Sequence, residues 1–326
     1  MVFSRRFLPL VAAIRNPLIL KMIRAMPESK LRMLFREIFD PNTIRKKIDY
    51  RFSERLVKVS TNSYWTGTLV VDINDHLGHR YFLDRDFDST AFLAGAQIGI
   101  ESSDIFLDIG ANIGTTCIPF AKFFNCEVIA VEASSKNASI LLRNSIINRV
   151  KLRLHIVCAT DYNTQKENSF LPFFSKNGNS GANSIFKNWN PSVTHEDLEL
   201  VCTSTVDQLL ANVESKRIKL IKIDVEGAED QVLRGFESIK DLVAPLIIEY
   251  RLDLMEKYLN DTGITFIALL METFSLFSLV KIEGKLYLGN FDPDLSQENL
   301  IGFPKKHLDM FLGKFPTVDG LAVKLN

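Results

Sequence analysis

Residues 105–116 constrain the fold more than any other part of this chain, and they read Ile-Phe-Leu-Asp-Ile-Gly-Ala-Asn-Ile-Gly-Thr-Thr. An apolar run ends in Asp108, two glycines follow at Gly110 and Gly114, and a helical pattern starts at Thr115. This order predicts a buried strand, a tight turn and a helix N-terminus. A glycine allows positive φ and close approach of a ligand, and free helix N–H groups point at the same place. The stretch therefore predicts the opening of a nucleotide-binding α/β unit.

The residues between the glycines discriminate among nucleotides. Asn112 stands where a dinucleotide fingerprint has its middle glycine, and Thr115-Thr116 stands where a phosphate-binding loop has Lys-Ser/Thr. Asp108 at a strand end would repel a pyrophosphate, but it suits a cationic ligand such as S-adenosylmethionine. Glu132 ends the next apolar run, where a carboxylate can bind both ribose hydroxyls. The alternative interpretation is that both acids only cap the helices that follow them.

Charge is unevenly distributed along the chain, although the net charge is zero. Residues 1–60 hold 14 Lys/Arg and 5 Asp/Glu, which predicts a basic arm. Within the arm, the apolar spacing over 29–40 predicts an amphipathic helix. The arm would contact an acidic partner such as a membrane surface, a nucleic acid or a glycan, or it would fold back on its own acidic body.

We predict three parts in the chain: the basic helical arm at 1–60, a lead-in at 61–100 and a ligand-binding domain at 101–326. Alternation over 66–73 and at 81–83, around a turn at 74–78, predicts a β-hairpin in the lead-in. From residue 103 onward strands and helices alternate, with a polar loop predicted at 162–195. This alternation predicts a mostly parallel, doubly wound α/β sheet with its ligand at the C-terminal ends of the strands.

Cysteine and histidine spacing disfavours a transition-metal site. The four cysteines include no C-x-x-C pair, and the five histidines show no ligand spacing. The apolar run that starts at Phe7 is broken at Arg15-Asn16-Pro17, so it is far shorter than the roughly 18 residues that a membrane span needs. These features predict a cytoplasmic protein, with peripheral membrane attachment through residues 1–60 left open.

A second motif, Leu220-Ile-Lys-Ile-Asp-Val-Glu-Gly-Ala-Glu229, adds a family resemblance. Together with residues 108–114 and the segment 204–210, it resembles the FkbM-type family of S-adenosylmethionine-dependent methyltransferases. The resemblance covers roughly residues 80–305. It implies a Rossmann-like sheet of seven strands, the last antiparallel, and O-methylation, often of sugar hydroxyls.

The resemblance also implies roles for individual residues. Asp108, Gly110, Asn112 and Gly114 would line the methionine and ribose part of S-adenosylmethionine, Glu132 would hold the ribose hydroxyls, and Asp161 would lie by the adenine amino group. The expected cofactor-binding set is completed by Ala111, Thr115 and Ala133. A turn or helix cap is the alternative role for Asp161.

The predicted catalytic residues lie at the ends of two neighbouring strands. Lys222, Asp224 and Glu226 alternate on one strand, where ionisable side chains are unusual, and they fall at the ligand-binding edge. Glu249 ends the next strand. Asp224 or Glu249 is the expected general base, and Lys222 would orient the substrate or balance charge. Alternatively, Lys222 forms an ion pair that only fixes the strand end, or the carboxylates hold a divalent cation.

The favoured function is O-methylation of a glycan or a related hydroxylated metabolite. One alternative is an NAD(P)-dependent oxidoreductase, which Asp108 and Asn112 disfavour. Another is a non-catalytic module that binds an acidic partner through the basic arm. Asp-Val-Glu-Gly stands where nucleic-acid methyltransferases have an Asn-Pro-Pro-Tyr type motif, so a nucleic-acid substrate is disfavoured.

Overall fold

The computed structural model describes residues 54–61, 65–72, 75–84, 89–176, 178–187, 195–256, 263–295 and 297–318. The predicted helix at 29–40 and most of the basic arm lie outside these residues. Among the helices that the structure describes, none has the length and apolar character needed to cross a membrane.

The described strands and helices alternate over most of the chain. The strands are β1 (Glu54–Thr61), β2 (Trp65–Asp72), β3 (Ile105–Ile109), β4 (Glu127–Val131), β5 (Lys151–His155), β6 (Cys158–Ala159), β7 (Phe170–Lys176), β8 (His195–Ser204), β9 (Ile218–Ile223), β10 (Leu246–Tyr250), β11 (Phe274–Ile282), β12 (Lys285–Asn290) and β13 (Gln297–Pro304). The α-helices are α1 (His76–Asp84), α2 (Thr90–Ile98), α3 (Cys117–Phe124), α4 (Ser135–Asn148), α5 (Tyr162–Glu167), α6 (Val206–Leu210), α7 (Glu229–Arg234), α8 (Leu252–Leu254), α9 (Ile264–Thr273) and α10 (Leu308–Leu312).

The central sheet confirms the predicted doubly wound α/β fold. Its strand order is β12-β11-β13-β10-β9-β3-β4-β5, and the five strands from β10 to β5 are parallel to their neighbours. Successive residues of β3 enter opposite cores, with Phe106 in one hydrophobic cluster and Leu107 in the other. Both faces of the sheet are therefore buried, as the apolar sequences of its strands require.

The described part of the sheet has eight strands rather than the expected seven. β13, the last strand along the chain, runs antiparallel to the five parallel strands as expected, whereas β11 runs with them and the extra strand β12 runs against them. β13 pairs antiparallel with β10 and β11, and β11 forms a hairpin with β12. The hairpin closes through Glu283 and Gly284 at φ 48° and 76°. Two residues with positive φ match the twist of a tight β-hairpin, so the chain adds β12 as an extra edge strand.

The lead-in differs from the predicted hairpin. β2 is present, but it pairs with β1, whose residues were assigned to the basic arm, and the expected second strand at 81–83 lies within α1. At Gly78 a Cβ would lie 1.9 Å from the carbonyl oxygen of Asp72. Gly78 lies within α1, so a residue without a side chain lets the helix start directly against the end of β2. Asn144 of α4 holds β2 by bonding both the N–H and the carbonyl of Val70, at 2.7 and 3.2 Å.

Within the segment predicted as a polar loop at 162–195, many of the residues that the structure describes form regular structure. It contains α5, β7 and a 3₁₀ turn at Ser180–Ala182, and it ends where β8 begins. β6, β8 and β7 form a separate three-stranded sheet. Phe173 and Val201 point inward, whereas Leu198 and Leu200 are exposed. Because both faces carry apolar residues, no simple alternation marks these strands in the sequence.

Candidate functional site

Two turns meet at the C-terminal ends of β3 and β9, and we call residues 110–114 the first turn and residues 224–229 the second turn. Gly110 has φ 88°, and a Cβ there would lie 1.8 Å from the carbonyl oxygen of Asp224. The Asp224 N–H donates to the carbonyl of Ile109 at 2.9 Å. Only glycine allows the two backbones to approach this closely.

The first turn is held by a buried carboxylate. Asn112 adopts φ 51°, and its N–H donates to Oε2 of Glu132 at 2.8 Å. The Ser134 N–H donates to the other oxygen at 2.9 Å. Burial raises the pKa of Glu132 to about 7, although these hydrogen bonds favour its charged form. Glu132 therefore fixes the turn and titrates near neutral pH.

The second turn is built in the same way. Glu226 has φ 56° and Gly227 has φ 102°. Beneath them, the buried Glu229 accepts the N–H of Val225 at 2.9 Å and that of Gly227 at 3.1 Å. Burial raises the pKa of Glu229 to about 7, and the charge of Asp224 acts in the same direction. The buried carboxylate thus holds Glu226 in a left-handed conformation that non-glycine residues rarely adopt.

Three acidic side chains converge beside the second turn. Carboxylate oxygens of Asp224, Glu226 and Glu249 all lie within 4.8 Å of one another. Lys222, only 5% exposed, places its ammonium 2.6 Å from Asp224. Burial and the charges of Asp224 and Glu226 raise the pKa of Glu249 well above its usual range. The trio can share a proton, or it can offer three oxygen ligands to a divalent cation.

A cavity that is open to solvent lies at the meeting point of the two turns. Six of the predicted residues line it: Gly110, Asn112, Glu132, Ala133, Asp224 and Glu226. Small and apolar side chains also line the cavity, among them Cys158, Phe173 and Ile185. The structure thus brings the predicted ribose-binding carboxylate and two predicted catalytic carboxylates to one cavity, at the sheet edge where the sequence places the ligand.

Asp108 and Lys222 lie behind this cavity rather than in its lining. They are paired in register on β3 and β9, so their side chains share a sheet face. Asp108 is 1% exposed and lies beside the thiol of Cys117. Burial, together with this carboxylate, raises the pKa of the Cys117 thiol well above its usual range. Lys222 reaches forward to Asp224, so the pair connects the buried sheet to the cavity edge.

The other predicted site residues also lie outside the cavity lining. Gly114 packs against α4, because a Cβ there would lie 2.3 Å from Leu141. Ala111 and Thr115 are buried in the first turn and at the start of the segment leading to α3. Glu249 approaches the cavity only through the acidic trio.

Asp161 forms the N-cap of α5 and also lies outside the cavity lining. It accepts the N–H groups of Asn163 and Thr164, each at 2.9 Å. The carboxyl is partly buried, which opposes ionisation, but the hydrogen bonds from Thr164 and Asn163 outweigh this and lower its pKa. Its expected contact with adenine stays a prediction, because the structure shows the carboxylate engaged in the cap that was the alternative.

Sequence reasoning assigned no role to several residues that build the site. Residues 178–184, which we call the wall loop, contribute Ser180, Gly181 and Asn183 to the cavity lining. Its small polar composition was the available signal. The Ser184 hydroxyl donates to the Glu226 carbonyl at 2.8 Å and so joins the wall loop to the second turn.

Comparison with known proteins gives one family match. The model of the methyltransferase FkbM domain matches residues 108–271, which include both turns and the wall loop. No curated protein matches the chain.

Solved structures similar to this chain include three methyltransferases. One is an O-methyltransferase from Bacillus cereus in complex with SAH, at 16% identity, 68% coverage of this chain, 83% of that chain and TM-score 0.37. A putative O-methyltransferase from Klebsiella pneumoniae has 12% identity, coverage of 67% and 80%, and TM-score 0.36. Precorrin-6y C5,15-methyltransferase from Geobacter metallireducens has 9% identity, coverage of 67% and 88%, and TM-score 0.36.

Proposed function

The chain belongs to the FkbM methyltransferase family, and from this premise we propose that it transfers a methyl group from S-adenosylmethionine to a hydroxyl of a glycan or a related hydroxylated metabolite. The observation that carries the proposal is that residues of both turns line the same cavity. The cavity is lined by a buried carboxylate, Glu132, which follows β4, and by the carboxylates of Asp224 and Glu226, which follow β9 on the other side of β3.

The cavity lining fits the chemical groups of S-adenosylmethionine. Glu132 can accept hydrogen bonds from both ribose hydroxyls when it is ionised. Cys158 and Ile185 offer an apolar surface to a flat base. Asp224, and Asp108 behind the first turn, supply negative charge near the place where the sulfonium and ammonium groups would lie. No lysine or arginine is among the residues that line the cavity in the described part of the chain.

In the proposed reaction, S-adenosylmethionine supplies a methyl group bonded to a positively charged sulfur. The bond is already activated, because the sulfur leaves as the neutral thioether of S-adenosylhomocysteine. The cavity walls would align the acceptor oxygen with the bond to be broken, and such alignment can contribute on the order of 7–11 kcal/mol. As the new C–O bond forms, the hydroxyl proton passes to a carboxylate of the acidic trio. Asp224 lines the cavity and is our candidate base.

Lys222 and Glu249 would tune that base. The Lys222 ammonium lies 2.6 Å from Asp224 and would orient that carboxylate and balance its charge. The raised pKa of Glu249 means that this neighbour holds a proton more readily than an ordinary glutamate and so relieves repulsion within the trio. If a divalent cation bound the trio instead, it would lower the pKa of the acceptor hydroxyl itself.

We also propose, as a separate point, that residues 1–60 contact an acidic surface or polymer. The support is their excess of 14 Lys/Arg over 5 Asp/Glu. A hydroxylated small molecule or glycan remains the proposed acceptor, and the charge of the arm suits an acidic carrier of that acceptor.

Calorimetric titration of the purified protein with S-adenosylhomocysteine tests the cofactor, with NAD⁺ titrated in parallel. We expect micromolar binding of S-adenosylhomocysteine and none of NAD⁺. Binding of NAD⁺ alone would contradict the proposal and favour an oxidoreductase. A repeat of the titration with EDTA, and with added Mg²⁺, shows whether the acidic trio needs a cation.

A further inference from the structure

The wall loop is fixed at both ends to the body of the domain. Phe174 and Ser184 exchange two backbone hydrogen bonds, at 2.8 and 3.2 Å, and close the loop against β7. At the other end, the carbonyl of Gly178 accepts the N–H of His76 at 2.8 Å. The loop is thus attached to the lead-in as well as to its own sheet.

Asp75 of the lead-in makes the central contact to the wall loop. One carboxylate oxygen caps α1 by accepting the N–H of Leu77 at 3.0 Å. The other oxygen accepts the N–H of Ser180 at 2.5 Å. At Gly181 a Cβ would lie 2.9 Å from Leu77, so α1 packs directly on the loop. A single carboxylate therefore joins the start of α1 to the cavity wall.

The Ser180 peptide is also held from the opposite side. Its carbonyl accepts the side-chain amide of Asn112 at 3.4 Å, and the Asn112 N–H donates to Glu132 at 2.8 Å. A continuous hydrogen-bonded path thus runs from Asp75 through Ser180 and Asn112 to the proposed ribose-binding carboxylate. Displacement of Ser180 would move the wall loop and also the backbone carbonyl that accepts the side-chain amide of Asn112 in the first turn.

From this path we infer that Asp75 is a positioning residue for the cofactor, acting through the Ser180 amide to hold the wall loop over the cavity. The identity of the ligand rests on the proposed function. Asp75 lies outside residues 108–271, the segment that the family model matches. The lead-in is therefore a working part of the binding site of this chain, in addition to the methyltransferase domain itself.

Two substitutions remove the same contact from opposite sides. In Asp75→Asn only one side-chain atom can accept, so either the α1 cap or the Ser180 bond is lost, and an NH₂ faces an N–H. In Ser180→Pro the donor N–H is absent, and proline suits the first residue of a helical turn. We expect each variant to raise the dissociation constant for S-adenosylhomocysteine five- to tenfold.

Matched controls separate this effect from a general one. Asp309→Asn makes the same chemical change at an exposed first-turn position of α10. Ser215→Pro places proline at the first residue of another 3₁₀ turn, Ser215–Arg217. Neither residue lines the cavity, and we expect both variants to bind S-adenosylhomocysteine as the wild type does. Thermal melts of all variants check that they are folded.

The double variant Asp75→Asn with Ser180→Pro tests whether Asp75 acts through Ser180. If it does, the double variant binds no more than about twofold more weakly than Ser180→Pro alone, because the same contact is removed only once. If Asp75 acted only on the structure of α1, the fold-change in the dissociation constant of the double variant would equal the product of the fold-changes of the two single variants. That result would overturn the inference.

The outcomes distinguish this inference from the proposed function. Wild-type protein that binds S-adenosylhomocysteine, with Asp75→Asn and Ser180→Pro unchanged in affinity, overturns the positioning role alone. Wild-type protein that does not bind S-adenosylhomocysteine overturns the proposed function, and the positioning role falls with it.

Discussion

The first and second turns use one backbone design for two different tasks. Each has a non-glycine residue in the left-handed region, Asn112 or Glu226, and each is held by a buried glutamate whose pKa is about 7. The difference lies in what the glutamate faces. Glu132 lines the cavity, whereas Glu229 stays beneath its turn. One carboxylate can therefore both build its turn and bind a ligand, and the other only builds.

Under the proposed function, this difference would separate cofactor binding from proton transfer within one cavity. On the first turn, the ligand-facing charge comes from the same group that fixes the backbone. On the second turn, the fixed backbone presents other carboxylates, those of Asp224 and Glu226, to the cavity. The proposed base can thus change its protonation state without loosening the turn that carries it.

The largest expected effect comes from breaking the contact between the turns. Gly110→Ala would place a methyl group 1.8 Å from the carbonyl of Asp224, at a φ of 88° that disfavours alanine. We expect the free energy of unfolding, measured by urea denaturation, to fall by at least about 4 kcal/mol. Gly313→Ala is the control, because a Cβ there meets no atom within 4 Å. A similar small loss in both variants would show that the two backbones can separate freely.

The second prediction concerns Glu229 and stability. The folded protein holds the Glu229 proton up to about pH 7, whereas an unperturbed glutamate loses it near pH 4.5. The folded state therefore binds more protons between these values, and the free energy of unfolding falls as the pH rises. Between pH 5 and 7, we expect the free energy of unfolding of Glu229→Gln to fall by about 2 kcal/mol less than that of the wild type. Parallel unfolding curves for the two proteins across this range would contradict the raised pKa.

The third prediction compares the two buried glutamates as ligand contacts. We expect Glu132→Gln to weaken binding of S-adenosylhomocysteine at least tenfold, which is about 1.4 kcal/mol, because a carboxylate that faces the cavity is lost. Glu229→Gln should change the affinity less than about threefold, because Glu229 does not line the cavity. If calorimetric titrations show that the two variants lose the same affinity for S-adenosylhomocysteine, the proposed difference in ligand contact between Glu132 and Glu229 is wrong.

The smallest expected effect is the pH dependence of binding. Ribose hydroxyls donate to the ionised form of Glu132, whose pKa is about 7 in the free protein. Affinity for S-adenosylhomocysteine should therefore rise about threefold between pH 6.5 and 7.5, as the ionised fraction increases. Glu132→Gln should bind with a flatter pH profile. A wild-type affinity that falls over this range would show that the protonated form binds.

The sequence predicts the first turn well because its signals are local. An apolar strand, two glycines and a helix start lie within residues 105–116, and the strand of the second motif is present as β9. The second turn was not predicted as a turn, because Lys222, Asp224 and Glu226 were placed together on one strand, whereas β9 ends at Ile223. Its non-glycine left-handed residue, Glu226, has no local sequence signature, because Glu229 imposes that conformation from the next helix.

The wall of the cavity was not predictable in the same way. The contact between Asp75 and Ser180 joins residues 105 positions apart, and no local pattern encodes it. β7 was not predicted within the segment 162–195, because Pro172 interrupts the strand and both of its faces are apolar. The alternating residues of β2 indicated a strand correctly but not its partner, because either flanking segment could supply one.

The close approach of Gly110 to the Asp224 carbonyl has a consequence for redesign. Main chain meets main chain there, so no choice of side chain can lengthen or shorten the distance between the first and second turns. In the proposed reaction, new acceptor preferences would have to arise at the surrounding rim, for instance at Asn183, while the spacing from methyl donor to base would be inherited unchanged. The backbone thus fixes the distance between the two turns, and sequence variation can act only on the side chains around the cavity.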